Sequence, residues 1–503
     1  MDITSFMLGR ATADGNVQPT LQAKTATPST STQEIEADQN YDGLSKVTVN
    51  PIPSQYIIPT GTKNITQNGT GIDVTSYAAV DVAVQGGGTT EAEKKDVNFI
   101  DYDGTIVYSY TAADFANLSA MPANPSHTGL TAQGWNWTLS DAKTYVASNG
   151  KLWIGQMYIT ASGKTEIDIV LDDPELLTPY LKICVNGTVT VDWGDGSPLS
   201  TVTGTSLTTK KYASHTYAAV GKYTVSIGVS EGSFTFYDNY IFSYTNSTND
   251  VSRRYNLSVV AVRLGTGITS LGFQAFGSCY CMEQITIHKD VTTFGDGCLT
   301  ACFSLKSLTL PSNTASFGTG VAASNHSLER VSLPSGITGL IMNAFLNCEE
   351  LEDISIPSTV TKLETSSLSY CYKLKNLTIP SGVTAISAQA LRYCYSLYNL
   401  VFKPADPPAV ANSNAFGGLS GSCVIWIPYA NLAGYLSAQN YPLKANYPYM
   451  GYATFSNGET LPTQDSTQAY NVTWYATKTD ARTQENAITQ GNGQEVYCRY
   501  TAV

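Results

Sequence analysis

The sequence has few charged side chains and few histidines. Aspartate, glutamate, lysine and arginine make up 14% of its 503 residues, whereas about 25% is usual in soluble proteins. The formal net charge is −12, and without a basic stripe to neutralise phosphates we expect no nucleic-acid binding. The four histidines lack metal-ligand spacing, and the sequence motifs of P-loop proteins, serine hydrolases and zinc proteases are missing. We therefore expect no enzymatic activity and no cofactor.

Long apolar runs are also missing, and so is a secretory leader at the start of the sequence. No run of about 18 apolar residues occurs, which predicts no membrane insertion. The first residues, MDITSFMLGR, lack the basic segment of a signal peptide. Ile3, Phe6, Met7 and Arg10 share one face of a short helix, which needs a partner surface to be stable. We predict an N-terminal attachment helix or arm over residues 1–24, with a frayed terminus as the alternative.

The residues that are abundant indicate β-structure. Hydrophobic residues make up 42% of the chain, which also has 41 glycines and 32 tyrosines. Aromatic and hydroxyl-bearing side chains are typical of strands. At about 100–200 residues per domain, the length predicts three to five domains. We therefore expect a mainly β, multidomain protein.

The middle of the chain repeats every 23 residues. Five cysteines stand at multiples of this period from each other, and two asparagines occupy further positions of the same series. We call these the ladder positions: Asn256, Cys279, Cys302, Asn325, Cys348, Cys371 and Cys394. Each unit also carries an L-x-x-L-x-L-like apolar frame, as in Leu305, Leu308 and Leu310. This pattern is typical of leucine-rich repeats, which bury their apolar faces by stacking. We expect the ladder cysteines to be buried thiols inside the turns, with disulfides or a metal site as the alternative.

One unit of this region is close to a known repeat type. Residues 356–380, IPSTVTKLETSSLSYCYKLKNLTIP, resemble the BspA-like class of leucine-rich repeats. The resemblance implies a β-solenoid arm over residues 256–428. Such arms are found in bacterial surface adhesins, phage proteins and some protist surface proteins.

A second resemblance lies just before the repeats. Residues 189–196, VTVDWGDG, and residues 215–227, HTYAAVGKYTVSI, resemble the PKD domain signature. The resemblance implies a PKD-like β-sandwich with a connector over 176–255, acting as a spacer or a binding module. Asp192, Asp195 and His215 have the composition of a catalytic trio. We favour the interpretation that the aspartates cap turns and the histidine packs at a strand start.

The other parts of the chain are predicted to be smaller modules. Residues 25–90 contain two small β repeat units and a linker, and the YDGLSKVTV segment resembles a repeat of phage tail-associated proteins. Residues 91–175 form an aromatic-rich α+β module, with a helix at 141–148 capped by Ser140 or Thr138. Residues 429–503 contain a cap helix, expected over 429–442, and a small β domain that resembles the Listeria–Bacteroides repeat.

Trp135 and Trp137 of the aromatic-rich module point to the same face of a strand. Exposed tryptophans at this spacing would suit stacking on a sugar, and buried ones would anchor a core. Because large aromatic side chains dominate cores, we favour the core position.

Aromatic residues accumulate beside the ladder positions. His326 and Glu349 occupy the same row, and repeats place equivalent positions on one surface. Exposed tyrosines combine a large contact area with a polar tip, which suits glycan or protein recognition. The alternative is that the rings pack between the turns as ordinary solenoid surface. The candidate binding residues are Tyr280, Phe303, Tyr370, Tyr372, Tyr393, Tyr395 and Tyr398.

Four functions are compatible with these features. The modules resemble ones that work outside cells, yet we expect no leader before them and free thiols, as in a reducing compartment. This combination favours a bacteriophage virion protein: a tail fibre, baseplate or receptor-binding protein. It would attach to other virion proteins by its N-terminus and contact a host surface glycan or protein through the repeat arm and tip. Assembly into a homo-oligomer is compatible with this role. The alternatives are a bacterial cell-surface BspA-like adhesin, a carbohydrate-active enzyme and an intracellular scaffold.

Overall fold

The computed structural model describes residues 92–238, 241–243, 258–314, 316–442, 448–465, 470–491 and 493–502, together with five backbone strands before residue 92. The chain divides into two compact units, residues 1–91 and 92–503. Strands greatly outnumber helices, so the prediction of a mainly β chain is confirmed. No helix in these described ranges is long and apolar enough to cross a membrane.

The described strands of the first unit form two small antiparallel sheets. Its strands are Met7–Leu8, Ile35–Tyr41, Leu44–Val49, Tyr56–Pro59 and Tyr77–Val80. The second and third form a hairpin, and the last two pair with each other. The strand Met7–Leu8 pairs with residues 45 and 46, in the segment where the sequence predicted a helix. A short isolated helix is marginal, whereas a strand edge supplies backbone partners. The rest of the predicted arm, and the predicted ladder position Asn256, lie outside the described residues.

The second unit begins with an α+β module of residues 92–160. Strands from both ends of the segment form a four-stranded sheet: Val97–Ile100, Ile106–Tyr110, Leu130–Trp135 and Leu152–Thr160. Helix Ala112–Ala116 is short, and helix Leu139–Asn149 contains the predicted helical segment. Thr138 caps this helix by accepting a hydrogen bond from Asp141 N at 3.1 Å. Trp135 and Trp137 are buried, as the core interpretation required.

The next segment forms one sheet that continues into the repeats. Five of its seven strands precede the solenoid and two belong to it: Thr165–Leu171, Tyr180–Asp192, Ser200–Ser214, Gly221–Thr235, Phe242–Ser243, Val259–Arg263 and Gln284–Thr286. A 3-10 turn occupies Pro174–Leu176.

All the described strands of 176–255, where the sequence predicted a PKD-like β-sandwich, belong to one hydrogen-bonded sheet. Ile167, Val189 and Val225 belong to the same buried apolar cluster as the solenoid interior. The sheet therefore covers the open end of the solenoid. A PKD-like module remains a prediction, and we call this segment the cap sheet.

Each solenoid repeat supplies two short parallel strands. Strands of the first series up to Asn399–Phe402 have a 23-residue register, for example Ser307 opposite Arg330 and Asn376 opposite Asn399. The last strand of the series pairs with an offset of 25 residues, with Asn399 opposite Val424. Six strands of this series form the solenoid part of a sheet that we call the main sheet: Ser307–Thr309, Arg330–Ser332, Asp353–Ile354, Asn376–Ile379, Asn399–Phe402 and Val424–Pro428. Two-residue strands form the second sheets on the other side: Ser270–Leu271, Thr293–Phe294, Ser316–Phe317, Gly339–Leu340, Lys362–Leu363, Ala385–Ile386 and Ala409–Val410.

The C-terminal residues close and extend the solenoid. The predicted helix over 429–442 is shorter than expected: a 3-10 turn at Tyr429–Asn431 leads into helix Leu432–Ser437, which ends where Ala438 turns extended. Its buried residues join the solenoid interior, so it covers the last repeat. The remaining elements are the 3-10 turn Ser413–Phe416, helix Lys478–Thr483 and strands Tyr449–Thr454, Tyr470–Tyr475, Ala487–Ile488 and Glu495–Ala502. These four strands continue the main sheet to ten strands.

The α+β module packs against the outer face of the main sheet. Asn136, which is fully buried, donates to Leu310 O at 2.9 Å and to Ser332 O at 3.3 Å. Its Oδ1 accepts from Gly155 N at 2.9 Å and from Ser332 Oγ at 3.0 Å. Trp137 Nε1 donates to the carbonyl of Leu333 at 2.7 Å. Part of the solenoid surface is therefore an internal interface.

Candidate binding surface

The ladder cysteines form a buried hydrogen-bonded column. Cys302, Cys348, Cys371 and Cys394 each donate from Sγ to a carbonyl 26 residues earlier, at 3.3–3.4 Å. Burial raises the pKa of Cys302, Cys348 and Cys394 to about 12, so these thiols are protonated and unreactive at neutral pH. All ten cysteines of the chain are free. The prediction of buried structural thiols is confirmed.

Asn325 takes the place of a cysteine in this column. It is fully buried, and its Oδ1 accepts from Cys302 N at 2.7 Å. Its Nδ2 finds no hydrogen-bond partner among the described residues. The amide therefore links two turns but leaves one buried donor unsatisfied, at a cost of about 1–3 kcal/mol.

The residue just before each ladder position has a left-handed backbone. Its φ lies between 56° and 65° in the six described turns, at Ser278, Ala301, Ser324, Asn347, Tyr370 and Tyr393. Most of these side chains are small, and asparagine tolerates this conformation. A bulky side chain with positive φ is unusual. The last two repeats therefore place tyrosine where the geometry favours a smaller residue.

The first half of the predicted aromatic row is continuous across three repeats. The rings of Tyr280 and Phe303 have centroids 4.7 Å apart, and Phe303 and His326 are 4.9 Å apart. His326 Nδ1 lies 2.9 Å from Glu349 Oε1. Burial and the nearby Glu349 carboxylate raise the pKa of Tyr372, which continues the row. The 23-residue period therefore brings these side chains into one line, as the sequence predicted.

The second half of the row is a group of four tyrosines, Tyr370, Tyr372, Tyr393 and Tyr395, which we call the tyrosine quartet. Tyr372 and Tyr395 stack with centroids 5.5 Å apart and an interplanar angle of 16°. The ring centroids of Tyr370 and Tyr393 are 4.9 Å apart. This pair contacts the stacked pair, because Tyr370 packs on Tyr372 and Tyr393 packs on Tyr395. Tyr395 is 54% exposed and the other three are half-buried. Because the rings support one another, the quartet presents an ordered aromatic surface to solvent.

Tyr398 is separate from this row. It is 45% exposed, but its ring packs under the guanidinium of Arg482, whose CZ lies 3.6 Å from the ring centroid. Arg482 also donates to Tyr398 O at 2.8 Å and to Asn399 Oδ1 at 2.7 Å. Tyr398 thus joins the solenoid to the C-terminal helix. No sequence pattern predicts this contact, because the two residues are 84 positions apart.

Asp192, Asp195 and His215 meet at one turn of the cap sheet. Asp192 Oδ1 accepts a backbone N–H two residues later at 3.0 Å, and Asp195 Oδ1 accepts from Ser197 N at 3.1 Å. Asp195 Oδ2 lies 2.7 Å from His215 Nε2. Desolvation opposes ionisation, but hydrogen bonds from Ser197 and His215 lower the pKa of Asp195 to about 2. The histidine ring stacks on Trp193, so the group has the turn-capping role favoured from the sequence.

Within the described ranges, no group of three histidine, cysteine, aspartate or glutamate side chains has an arrangement that would hold a metal ion. The aromatic row contains the candidate binding residues Tyr280, Phe303, Tyr370, Tyr372, Tyr393 and Tyr395. Its chemistry is stacking and hydrogen bonding by phenol groups, which requires neither a metal nor a cofactor.

Comparison with known proteins identifies the solenoid as a leucine-rich-repeat structure. Residues 235–340 and 321–420 match the family described as BspA type leucine rich repeat region, in six copies. This part of the chain therefore consists of BspA-type leucine-rich repeats, as the resemblance implied. The matched residues make up just over a third of the chain. Among curated proteins, none matches the sequence significantly.

The similar solved structures include two proteins described as leucine-rich and one described as a vaccine antigen. One is a leucine rich cell surface protein from Faecalibacterium prausnitzii, with 22% identity and a TM-score of 0.26 over 29% of this chain and 48% of that chain. A leucine-rich repeat protein from Bacteroides ovatus has 18% identity and a TM-score of 0.23 over 34% and 63%. The pneumococcal vaccine antigen PcpA has 14% identity and a TM-score of 0.21 over 38% and 61%. The chain thus spans between 48% and 63% of the length of these proteins.

Proposed function

We propose that the chain is a non-catalytic adhesive protein of the BspA-like cell-surface type, and that the aromatic row is its binding surface. The observation that carries the proposal is the tyrosine quartet, an ordered and accessible set of rings on adjacent repeats. Tyrosine is enriched at the energetic centres of binding surfaces. Its partner is a glycan or a protein on a cell surface.

The backbone adds independent support to the quartet. Tyr370 and Tyr393 occupy left-handed positions that hold Ser, Ala or Asn in the four described repeats before them. Uncommon backbone conformations tend to occur at functional sites. Arg392 lies over the ring of Tyr393, with its CZ 4.4 Å from the centroid, and donates to the phenol oxygen at 2.6 Å. The phenol is therefore held in place before any partner binds, which reduces the entropic cost of binding.

A virion role remains a prediction. It depended on the expectation that no leader precedes the modules and on resemblances in residues 25–90, and neither the matched family nor the similar solved structures add support to it. The repeats themselves occur in both surface adhesins and phage proteins. Adhesion through the aromatic row is common to both roles, so the same binding experiment tests that shared step.

The experiment combines the substitutions Tyr370→Ser and Tyr393→Ser in one variant. Binding of the full chain to immobilised mucin is then measured by surface plasmon resonance. Serine follows the residue found at the same position in earlier repeats, so the fold should be kept. We expect binding to weaken by about tenfold or more, as for loss of central aromatic contacts. Deglycosylated mucin distinguishes a glycan partner, which would be lost, from a protein partner, which would be retained.

The control variant is Tyr212→Ser, which removes a tyrosine that is 39% exposed on the cap sheet, away from the repeats. It should bind mucin as the unchanged chain does. Thermal unfolding followed by circular dichroism should give similar midpoints for all three proteins. Equal binding by the double variant and the unchanged chain would contradict the assignment of the row.

A further inference from the structure

A cleft lies where three parts of the second unit meet. Its volume is about 570 Å³, and its walls are helix Leu139–Asn149 of the α+β module, the outer face of the main sheet, and the C-terminal residues. The cleft is within the range of 300–1,000 Å³ that is typical of small-molecule sites. It exists only because the α+β module packs on the solenoid, so the repeat pattern gives no sign of it.

The charged lining of this cleft is predominantly basic. Four lysines and two carboxylates contribute to it: Lys143, Lys151, Lys403, Lys478, Asp96 and Glu495. The chain as a whole has a formal net charge of −12, with only 28 lysines and arginines in 503 residues. A local excess of cations in such an acidic protein needs a reason, and attraction of an anion is the direct one.

Both carboxylates are already engaged by the protein. Asp96 accepts from Ala112 N at 2.9 Å. Glu495 accepts from Lys403 at 2.7 Å and from the phenol of Tyr497 at 2.9 Å. They therefore offset the lysines only in part, and four lysines against two carboxylates leave a net positive lining.

Lys478 is the cleft lysine that lies against two aromatic rings. Its Nζ lies 5.3 Å from the ring centroid of Trp426 and 5.4 Å from that of Tyr497, and no hydrogen bond or ion pair joins it to another described residue. Burial lowers the pKa of Lys478 to about 8. The Glu495 carboxylate raises this pKa, whereas the positive charges of Lys403, Lys151 and Arg482 lower it further. Three cations and one carboxylate thus surround the ammonium group, so a bound anion would relieve their repulsion.

Neutral polar groups line the floor of the cleft. Asn376, Thr378 and Asn399 lie on the outer face of the main sheet and contribute to its wall. Amide and hydroxyl groups beside ammonium groups match a ligand that carries both hydroxyls and a negative charge. We propose that this cleft binds a small anionic sugar, with Lys478 contacting its charged group and the main-sheet amides contacting its hydroxyls.

The test is isothermal titration calorimetry of the full chain with three probes: glucuronate, glucose 6-phosphate and glucose. We expect at least one of the anions to bind at least about tenfold more tightly than glucose, because charge-assisted hydrogen bonds are stronger than neutral ones. Binding of glucuronate alone would identify a carboxylate sugar, and binding of glucose 6-phosphate alone would identify a phosphorylated one. Failure of both anions to bind, or equal binding of glucose, would overturn the proposal.

The variant Lys478→Met separates the site from general charge attraction. Methionine keeps an apolar stem over the two rings, so the fold should be retained, and circular dichroism checks this. Anion binding should weaken by about tenfold or more. The matched control is Lys375→Met, which removes a lysine that pairs with Glu352 on the solenoid and does not line the cleft. Equal losses in both variants, or no loss in Lys478→Met, would contradict a specific site.

The cleft is independent of the aromatic row. The double substitution at Tyr370 and Tyr393 should leave titration with the anionic sugars unchanged, because neither residue lines the cleft. Likewise Lys478→Met should leave binding to mucin unchanged if the row is the adhesive surface. The two proposals can therefore fail separately.

Discussion

Asn136 should be the residue on which the attachment of the α+β module depends most. The variant Asn136→Ala removes four hydrogen bonds that connect the module to the main sheet and to its own strand, at 2.9–3.3 Å. It also leaves the N–H of Gly155 without its acceptor at a fully buried position. Each buried hydrogen bond contributes about 0.5–1.5 kcal/mol, and an unsatisfied buried donor costs about 1–3 kcal/mol.

From these values we expect the free energy of opening of the module to fall by about 3 kcal/mol, which corresponds to roughly 100-fold in the opening equilibrium. Amide hydrogen exchange measures this locally, so it does not require the whole chain to unfold in one step. Amides of the strands Val97–Ile100 and Leu152–Thr160 should exchange faster, while those of the distant repeats should not change.

The control is Asn117→Ala, which removes one exposed hydrogen bond to Ala113 O at 3.0 Å on the same module. It should change the opening free energy by less than about 0.5 kcal/mol. An Asn136→Ala protein whose module exchanges no faster than the control would refute the reasoning, because it would mean that the buried amide does not hold the module on the sheet.

Three further outcomes follow from the same structure. Gly155→Val should also loosen the module, because a side chain there would collide with Thr309 of the main sheet; the hydrogen-exchange assay would show it, and unchanged exchange would count against the docking. Under native conditions an alkylating reagent should modify the half-buried Cys281 before the buried ladder cysteines, with peptide mass spectrometry as the readout; prompt labelling of the ladder would contradict its burial. Lys478→Met should raise the stability to chemical denaturation at pH 7. The folded-state pKa of Lys478 is lowered to about 8 from about 10.4 in the unfolded chain, so its charge opposes folding below pH 8, and the gain should shrink as the pH rises toward 10.4.

The repeats could be predicted because their period is strict and local. The same spacing that aligns Cys348 with Cys371 also aligns the strands that follow them, so stacking and burial of the ladder come from the sequence pattern. The two-residue strands of the second sheets were not predicted. Gly339–Leu340, for instance, has one buried position, too little for an alternating pattern.

Contacts between distant segments could not be predicted in this way. The sequence indicated strands before the repeats but not their partners, and it did not indicate that these strands share one sheet with the first repeat strands. It also gave no sign that Asn136 bonds to residues 174 and 196 positions away. These partners are set by packing of complete modules, which a local pattern does not encode.

The candidate site was predicted in part for the same reason. Tyr372 and Tyr395 are one period apart, and the structure stacks them. Tyr398 was grouped with them because it is near in sequence, but its ring faces Arg482 of the C-terminal helix. The lysine cleft depends on three segments meeting in space, and no spacing in the sequence predicts it.

The most direct test of the account is a hydrogen-exchange footprint of the full chain with and without mucin glycopeptides. If the aromatic row is the adhesive surface, protection should appear in the turns around residues 370–372 and 393–395, and it should vanish in the double serine variant. Protection confined to the cap sheet or to the C-terminal residues, with the quartet turns unchanged, would contradict the central claim.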